Sequence, residues 1–322
     1  MLKTRFDLLE HHSTAIAQDQ TLDVVLDTDT FNEIDDQFAV IHALRSPERI
    51  RLLGLYAAPF RNATCPDPGQ GMQQSYDEII RLLERLPIRP EVPVLRGSQS
   101  WMSDVQGSVP SAARDHLIDL AMSRDVQGPP LYVAAIGAPT NVASALQEQP
   151  ELASRVVVVW LGGHERTHPS AREFNLEQDI AASRWLLNSG CALIRVPCIH
   201  PAQKLRTTLP ELRHHLTGRN PVCDFLLDRV EQYADAEEPT RRRANAGRAI
   251  AYGKEIWDVA VTAWLIDPAW VPTVLRSSPI LSEADDWQWS EDPHRHLIRE
   301  AVDIDRDAIL GDLFSKLASI EK

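Results

Sequence analysis

The sequence predicts an α/β fold: an open, mainly parallel sheet flanked by helices and followed by a helical C-terminal part. Two observations carry this. Short β-branched apolar runs take turns with segments of 3.6-residue apolar periodicity as far as residue 196, the pattern of strands joined by crossover helices. Several runs, VVVVWL at 156–161 above all, are apolar at every position, as befits a strand whose sheet is covered on both faces.

After a polar N-terminal arm, Leu22–Leu26 (LDVVL) reads as a strand that stops at Asp27. A helix starts near Glu33, where Ile34, Phe38, Ile41 and Leu44 recur at helical spacing. Then follow strand Ile50–Tyr56, helix Met72–Leu86, strand Leu131–Ile136, helix Asn141–Leu146, strand Val156–Leu161, helix Asp179–Leu187 and strand Ala192–Val196. Beyond Pro197 the texture is helices and loops: Pro210–Leu216, Pro221–Ala234, an Arg-rich stretch Arg241–Arg243, Glu255–Ile266 and Val302–Leu317. No repeat, low-complexity segment or Gly/Ser linker divides the chain, so residues 1–322 read as one domain.

With 33 Lys+Arg against 46 Asp+Glu the net charge is −13, which disfavours nucleic acid and anionic membranes as partners. A 43% hydrophobic content supports a sizeable core and excludes disorder as the dominant state. No apolar run reaches membrane-spanning length and the N-terminus lacks a cleavable apolar leader, so the expectation is a cytoplasmic protein. Cys65, Cys191, Cys198 and Cys223 form no CxxC pair or zinc spacing and read as buried free thiols. Most of the acidic excess is expected at the surface, with a few carboxylates gathered around a cation.

In an open α/β sheet, ligands sit beyond the carboxyl ends of the strands. The residues there after LDVVL are Asp27-Thr28-Asp29-Thr30-Phe31-Asn32-Glu33-Ile34-Asp35-Asp36, five carboxylates in ten positions. Unit charges about 4 Å apart repel by about 4 kcal/mol at an effective dielectric of 20, and a hard cation removes the problem. Oxygen-only donors suit Ca²⁺ or Mg²⁺. An ordinary helix start, with Asp35 and Asp36 against the dipole and Asp27 or Asp29 capping a turn, would explain one or two of these acids but not the whole cluster. The DxDxT run also opens phosphatases of the haloacid-dehalogenase type, but the Lys and late acidic pair they need are missing. An EF-hand reading fails for want of the central Gly and closing Glu.

The chain resembles the calcium-dependent nucleoside hydrolases from about Asp23 to Asp267. Their DxDxGxDDxxA signature appears as DTDTFNEIDDQFA, two residues longer, with Asn32-Glu33 where Pro-Gly is usual. Ile136-Gly137-Ala138-Pro139-Thr140-Asn141-Val142-Ala143 is similar to their GPLTNxA turn. Leu161-Gly162-Gly163, Arg172-Glu173-Phe174-Asn175 and Asp179-Ala181-Ala182 are similar to GG…AEFN…DPxAA, and Ile256-Trp257-Asp258-Val259-Ala260 to the late HDxxA. The resemblance implies Ca²⁺ held by the side chains of Asp29, Asp36 and Asp258 and the carbonyl of Thr140, with Asp27 orienting the loop. It implies Asp35 on the ribose 2′- and 3′-hydroxyls, Glu173 and Asn175 on the far side of the sugar, and a homodimer or homotetramer.

The implied activity is hydrolysis of a ribonucleoside N-glycosidic bond by a metal-bound water, with Asp29 as general base. A ring of carboxylates suits an oxocarbenium-like sugar, and a cation lowers the pKa of bound water. Asp258, in the apolar run IWDVAVTAWLI, needs a buried partner. The departures from the family lie on the leaving-group side. Trp257 replaces the His that protonates the departing base and offers stacking instead. The IHG segment has no counterpart beyond His116, read as an exposed helix residue. His164 and His200 are alternative acids, each equally readable as structural. Arg61, Asn62, Tyr252, Lys254 and the Arg241–Arg243 cluster with Arg248 stay open. Two further readings remain: a related glycoside hydrolase acting on a furanoside with another leaving group, and a non-catalytic sugar-binding protein.

Overall fold

The computed structural model describes residues 4–236, 252–282 and 287–321. Arg241–Arg243 and Arg248 lie outside these residues. In chain order the strands are β1 (Leu22–Thr28), β2 (Ile50–Ala57), β3 (Val94–Arg96), β4 (Leu131–Ala135), β5 (Val156–Leu161), β6 (Ala192–Val196), β7 (Arg206–Thr208), β8 (Gly253–Glu255), β9 (Thr273–Ser277), β10 (Ile280–Leu281), β11 (Trp289–Ser290) and β12 (Leu297–Ala301). Eight of them form one sheet in the order β3-β2-β1-β4-β5-β6-β12-β9, parallel except for the β12–β9 pair. β7–β8 and β10–β11 are small antiparallel pairs.

The continuous apolar strands are explained by cover on both faces. In β5, Val157, Val159 and Leu161 enter one buried cluster while Val156, Val158 and Trp160 enter the opposite one. β1 divides in the same way, with Val24 and Leu26 on one face and Val25 on the other. Helix Asp36–Leu44 and helix Val259–Ile266 cover the first face, and both begin at acidic residues of the candidate site.

Three expectations are corrected. The N-terminal arm is a helix, Arg5–Ala17, that buries Leu8 and Leu9 and donates from His12 Nε2 to the Leu265 carbonyl at 3.0 Å. The first crossover helix starts at Asp36 rather than near Glu33, because residues 31–35 form the longer acidic loop. Most consequential, the C-terminal part is not wholly helical: β9 and β12 extend the main sheet beyond β6. Smaller shifts follow local capping. The helix read at Met72–Leu86 is Pro68–Leu83, where Asp67 accepts from the Gln70 amide, and the last helix is Arg306–Ala318, capped by Asp305. The four cysteines are free and buried, as expected.

β12 is anchored through charge. Glu300 is 2% exposed and pairs with the fully buried Arg195 of β6 at 2.8 Å and with Arg166 at 3.0 Å. Burial pushes the Glu300 carboxyl up, and Arg195 and Arg166 outweigh it, so it lies below its ordinary value. Arg195 also donates to the carbonyls of Gly162 and His164, tying β12 to the turn after β5. Glu300→Ala would strand a buried guanidinium and is expected to cost about 3–5 kcal/mol in urea denaturation; a loss below about 1 kcal/mol would contradict this. Among the described residues no helix is long and apolar enough to cross a membrane.

Candidate active site

A pocket of about 250 Å³ opens beyond the carboxyl ends of β1, β4, β5 and β6, where the parallel topology directs the loops. Asp29, Asp35, Asp36 and Asp258 line it, all buried. Asp35, Asp36 and Asp258 each bring a carboxylate oxygen within 4.8 Å of the others. The first two come from the end of the acidic loop; Asp258 stands at the N-terminus of helix Val259–Ile266, across the pocket in sequence but adjacent in space. Thr28 Oγ1 donates to Asp36 Oδ1, and the Asp258 amide donates to Asp35 Oδ2 at 3.4 Å.

The electrostatics are those of like charges forced together. Burial, then the charges of Asp36, Asp35 and Glu33, raise the Asp29 carboxyl well above its usual range. Burial, then Asp35, pushes Asp36 up to about 8. Burial and the neighbouring aspartates do the same to Asp258. Asp35 is raised by burial, opposed by the charge of Lys254. Asp29 Oδ2 is buried with no hydrogen-bond partner among the described residues. An acceptor-only, oxygen-only set with an orphaned carboxylate oxygen fits a hard divalent cation.

Beneath the loop, Asp27 Oδ1 accepts from Asn141 Nδ2 at 2.7 Å, while Oδ2 is a second buried orphan among the described residues. Burial raises Asp27 to about 7. Thr140, which opens helix Thr140–Glu148, donates its hydroxyl to Asp179 Oδ2 at 2.9 Å; it is buried but outside the pocket lining. Asp179 also accepts from the amides of Met102 and Ala182, joining three helix starts.

On the far side, Glu173 and Asn175 line the pocket. Glu173 is the N-cap of helix Phe174–Gln178 and accepts from the amides of Asn175, Leu176 and Gly163 and from Cys198 Sγ. Gly163 has φ +70°, and an added Cβ there would meet Trp289 at 2.8 Å. Asn175 Nδ2 donates to the carbonyls of Ile136 at 3.2 Å and Leu161 at 3.1 Å, which directs the amide across the ends of β4 and β5.

At the mouth, Trp257 lines the pocket with the Lys254 ammonium 4.4 Å from its ring centroid, and its buried indole N–H has no partner among the described residues. Lys254 also pairs with Glu33. His164 reaches the pocket, but its Nδ1 accepts from the Ile199 amide at 3.3 Å. Burial, then the charge of His168, lowers its pKa to about 4, so the ring is neutral at pH 7. His200 is half-buried outside the lining.

Residues 24–310 match the family model described as inosine-uridine preferring nucleoside hydrolase. The chain belongs to this family. Among curated relatives of this nucleoside hydrolase-like enzyme, the pyrimidine-specific ribonucleoside hydrolase RihA of Klebsiella pneumoniae is 23% identical, over 88% of the chain and 95% of that protein. An uncharacterised protein of Schizosaccharomyces pombe is 26% identical over 54% of the chain, which spans 60% of that protein's length. A plant nucleoside hydrolase structure superimposes with a TM-score of 0.71 at 18% identity, covering 92% of the chain and 99% of its own. A purine-preferring ribonucleoside hydrolase from Gardnerella vaginalis gives 0.66 at 21% identity, covering 92% and 98%. These structures share the nucleoside hydrolase fold with the chain.

Within this nucleoside hydrolase-family chain, two sequence expectations change. His116 is half-buried rather than exposed, its Nδ1 2.8 Å from Tyr56 Oη on β2. Asp258 stands at the N-cap position of its helix, with no capping bond from its side chain, instead of lying within the helix. Of the open candidates, Asn62 donates to Asn32 Oδ1 at 3.1 Å and Arg61 is exposed. Tyr252 lies outside the pocket lining. The structure adds Glu33, Phe174, Cys198 and Arg172 to the lining, none of which sequence reasoning had given a role. Glu33 carried a signal: it is one of the residues by which the acidic loop departs from the family pattern.

Proposed function

We propose that the protein hydrolyses the N-glycosidic bond of ribonucleosides to ribose and free base in a calcium-dependent reaction, with Asp29 as general base. The observation that carries this reading is the orphaned, buried Oδ2 of Asp29 beside three converging carboxylates. Asp29, Asp36 and Asp258, with the Thr140 carbonyl, would hold Ca²⁺, and Asp27 with Asn141 would steady the loop from below. When bound, calcium supplies positive charge that orders the sugar hydroxyls and lowers the pKa of a nearby water.

Asp29 takes the proton at its free oxygen, in the ionised form that a neighbouring cation restores. Asp35, at the same rim, accepts hydrogen bonds from the 2′- and 3′-hydroxyls. Glu173 and Asn175 close the other side of the sugar, Glu173 chiefly by fixing the Gly163 turn and the start of helix Phe174–Gln178. The ring of carboxylates stabilises positive charge developing on the sugar. Neutral His164, with Nδ1 committed to the Ile199 amide, is a pocket wall and a hydrogen-bonding group rather than a ready acid.

The test is a panel of inosine, uridine, 4-nitrophenyl riboside and simple furanosides, assayed in EDTA and after calcium is returned. Turnover of ribonucleosides that falls at least 100-fold in EDTA and recovers with calcium is expected. Turnover of nitrophenyl riboside without any nucleoside would favour the second reading, a glycosidase with another leaving group, for which Trp257 in place of a histidine is the motivating residue. Turnover untouched by EDTA would reject the calcium role.

A further inference from the structure

Two of the carboxylates that converge on the candidate site, Asp36 and Asp258, stand at the starts of two packed helices, Asp36–Leu44 and Val259–Ile266. The bodies of these helices share one apolar cluster, and apolar contact attracts without fixing how far one helix slides along the other. Every side chain of Val259–Ile266 is buried; only Thr262 and Trp264 carry a polar atom, and the Trp264 indole N–H has no partner among the described residues. The hydrogen-bonding side chain of that helix is thus Thr262.

Thr262 meets His42, which is fully buried near the end of helix Asp36–Leu44: Oγ1 lies 2.8 Å from Nδ1. On the other side of the ring, Nε2 lies 2.8 Å from Asp312 Oδ2 of helix Arg306–Ala318. Burial lowers the His42 pKa, so the ring is neutral at pH 7. Burial pushes Asp312 up, but the bonds from His42 and Lys316 outweigh it and hold the group below its ordinary value, as a carboxylate. An ionised Asp312 only accepts, so Nε2 carries the ring proton and the bare Nδ1 accepts from the Thr262 hydroxyl. That hydroxyl also lies 3.1 Å from the Val259 carbonyl, and its single proton serves His42 in this tautomer. Asp312 is braced in turn by Lys316 at 2.7 Å, whose ammonium reaches Ser46 Oγ at 2.8 Å and Glu48 at 3.2 Å, just beyond helix Asp36–Leu44.

Resting on the calcium reading above, we infer that His42 is a positioning residue of the cation site: by bridging Thr262 to Asp312 it fixes the register of helix Val259–Ile266 against helix Asp36–Leu44, and so holds Asp258 and Asp36 at cation-binding separation. The bridge stands outside the pocket lining and touches neither cation nor substrate. At 1.5 Å per residue it lies about 6 Å below Asp258 and about 9 Å below Asp36 along their helices, near enough that a slip there moves both carboxylates. Calcium–oxygen distances span only about 2.3–2.6 Å, so the site tolerates little of this. Without a cation the like charges at the two helix starts push apart, and the bridge is the polar contact that resists them.

The test is the calcium Kd of the full chain, stripped of metal and titrated in a calorimeter, beside thermal melts. His42→Leu removes the bridge and leaves no orphan, because Thr262 keeps the Val259 carbonyl and Asp312 keeps Lys316. Thr262→Val removes the hydroxyl at nearly constant shape, and Thr262→Ser retains it. Kd is expected to rise roughly 10-fold in His42→Leu and in Thr262→Val, the lower end of what losing a group that orients metal ligands costs, and to stay within about threefold in Thr262→Ser. Leu117→Ala, at a buried position in the cluster on the opposite face of the sheet, is the control: its Tm is expected to fall while Kd stays within about twofold. An unchanged Kd in His42→Leu, a Kd raised as much in Leu117→Ala, or a Thr262→Ser protein as impaired as Thr262→Val overturns the inference; should Thr262→Val fail to fold, His42→Leu decides. A native chain that binds calcium while the variants bind it equally well overturns the role of His42 alone, whereas a native chain that binds none overturns the calcium reading and this inference with it.

Discussion

Asp29→Asn is expected to lower kcat by roughly 10²- to 10⁴-fold at saturating calcium, the range for loss of a positioned base. Asparagine keeps the shape of the side chain, which matters because space is tight: a Cβ built on Gly137 would lie 3.2 Å from Asp29 Oδ1. What the amide cannot do is accept the proton. Single-turnover kinetics with calcium titrated to saturation, beside thermal melts of both proteins, make the check. If excess calcium restores the native kcat, Asp29 acts only as a ligand and the general-base assignment is wrong.

The second large effect is on stability. Asp36 is pushed up to about 8 in the folded protein, and Asp29, Asp35 and Asp258 are raised in the same direction, against an ordinary aspartate value of about 3.9. Raised folded-state values mean that the native state binds more protons than the unfolded chain between those limits. Their contribution to the stability of the metal-free protein is therefore fully present below about pH 4 and is lost as pH rises toward about 8. Calcium acts oppositely, because it binds the ionised carboxylates. Melts at pH 5.5, 7 and 8.5 should show the gap between calcium and EDTA widening with pH.

Asp258→Asn removes one charge from the cluster and is expected to raise metal-free stability at pH 8.5 by about 2–4 kcal/mol, the scale of one close like-charge contact. In the same variant the calcium-induced rise in Tm should largely disappear. A metal-free Asp258→Asn protein less stable than the native one at that pH would refute the picture of four mutually repelling carboxylates.

The parallel half of the fold was readable because burial on both faces leaves only apolar residues to choose from, as in β1 and β5. β12 was not: LIREA carries Arg299 and Glu300, and it takes partners far off in sequence, Arg195, Arg166 and Arg276 for Glu300 and Glu10 for Arg299, to make a charged strand tolerable there. The N-terminal helix escaped notice because its buried leucines are few and its other faces polar. In the site, the loop aspartates and Asp258 were legible, since clustered acids beyond a buried strand demand an explanation. The Glu33–Lys254 pair joins residues 221 apart, which no local pattern announces. Nor could spacing show that Glu173 spends its oxygens on backbone amides, or that His164 is tied to Ile199.

The order of the sheet also has a consequence for biosynthesis. β6 is complete at Val196, yet its neighbour β12 begins at Leu297. A nascent chain emerging from the ribosome therefore displays one open edge of a six-strand layer while the next hundred or so residues are translated, with Arg195 awaiting Glu300. Exposed edges of this kind are where growing chains pair with one another. Slowing translation between β6 and β12 should increase aggregation in cells more than slowing it after β12, because only then is the last parallel strand able to seal the layer.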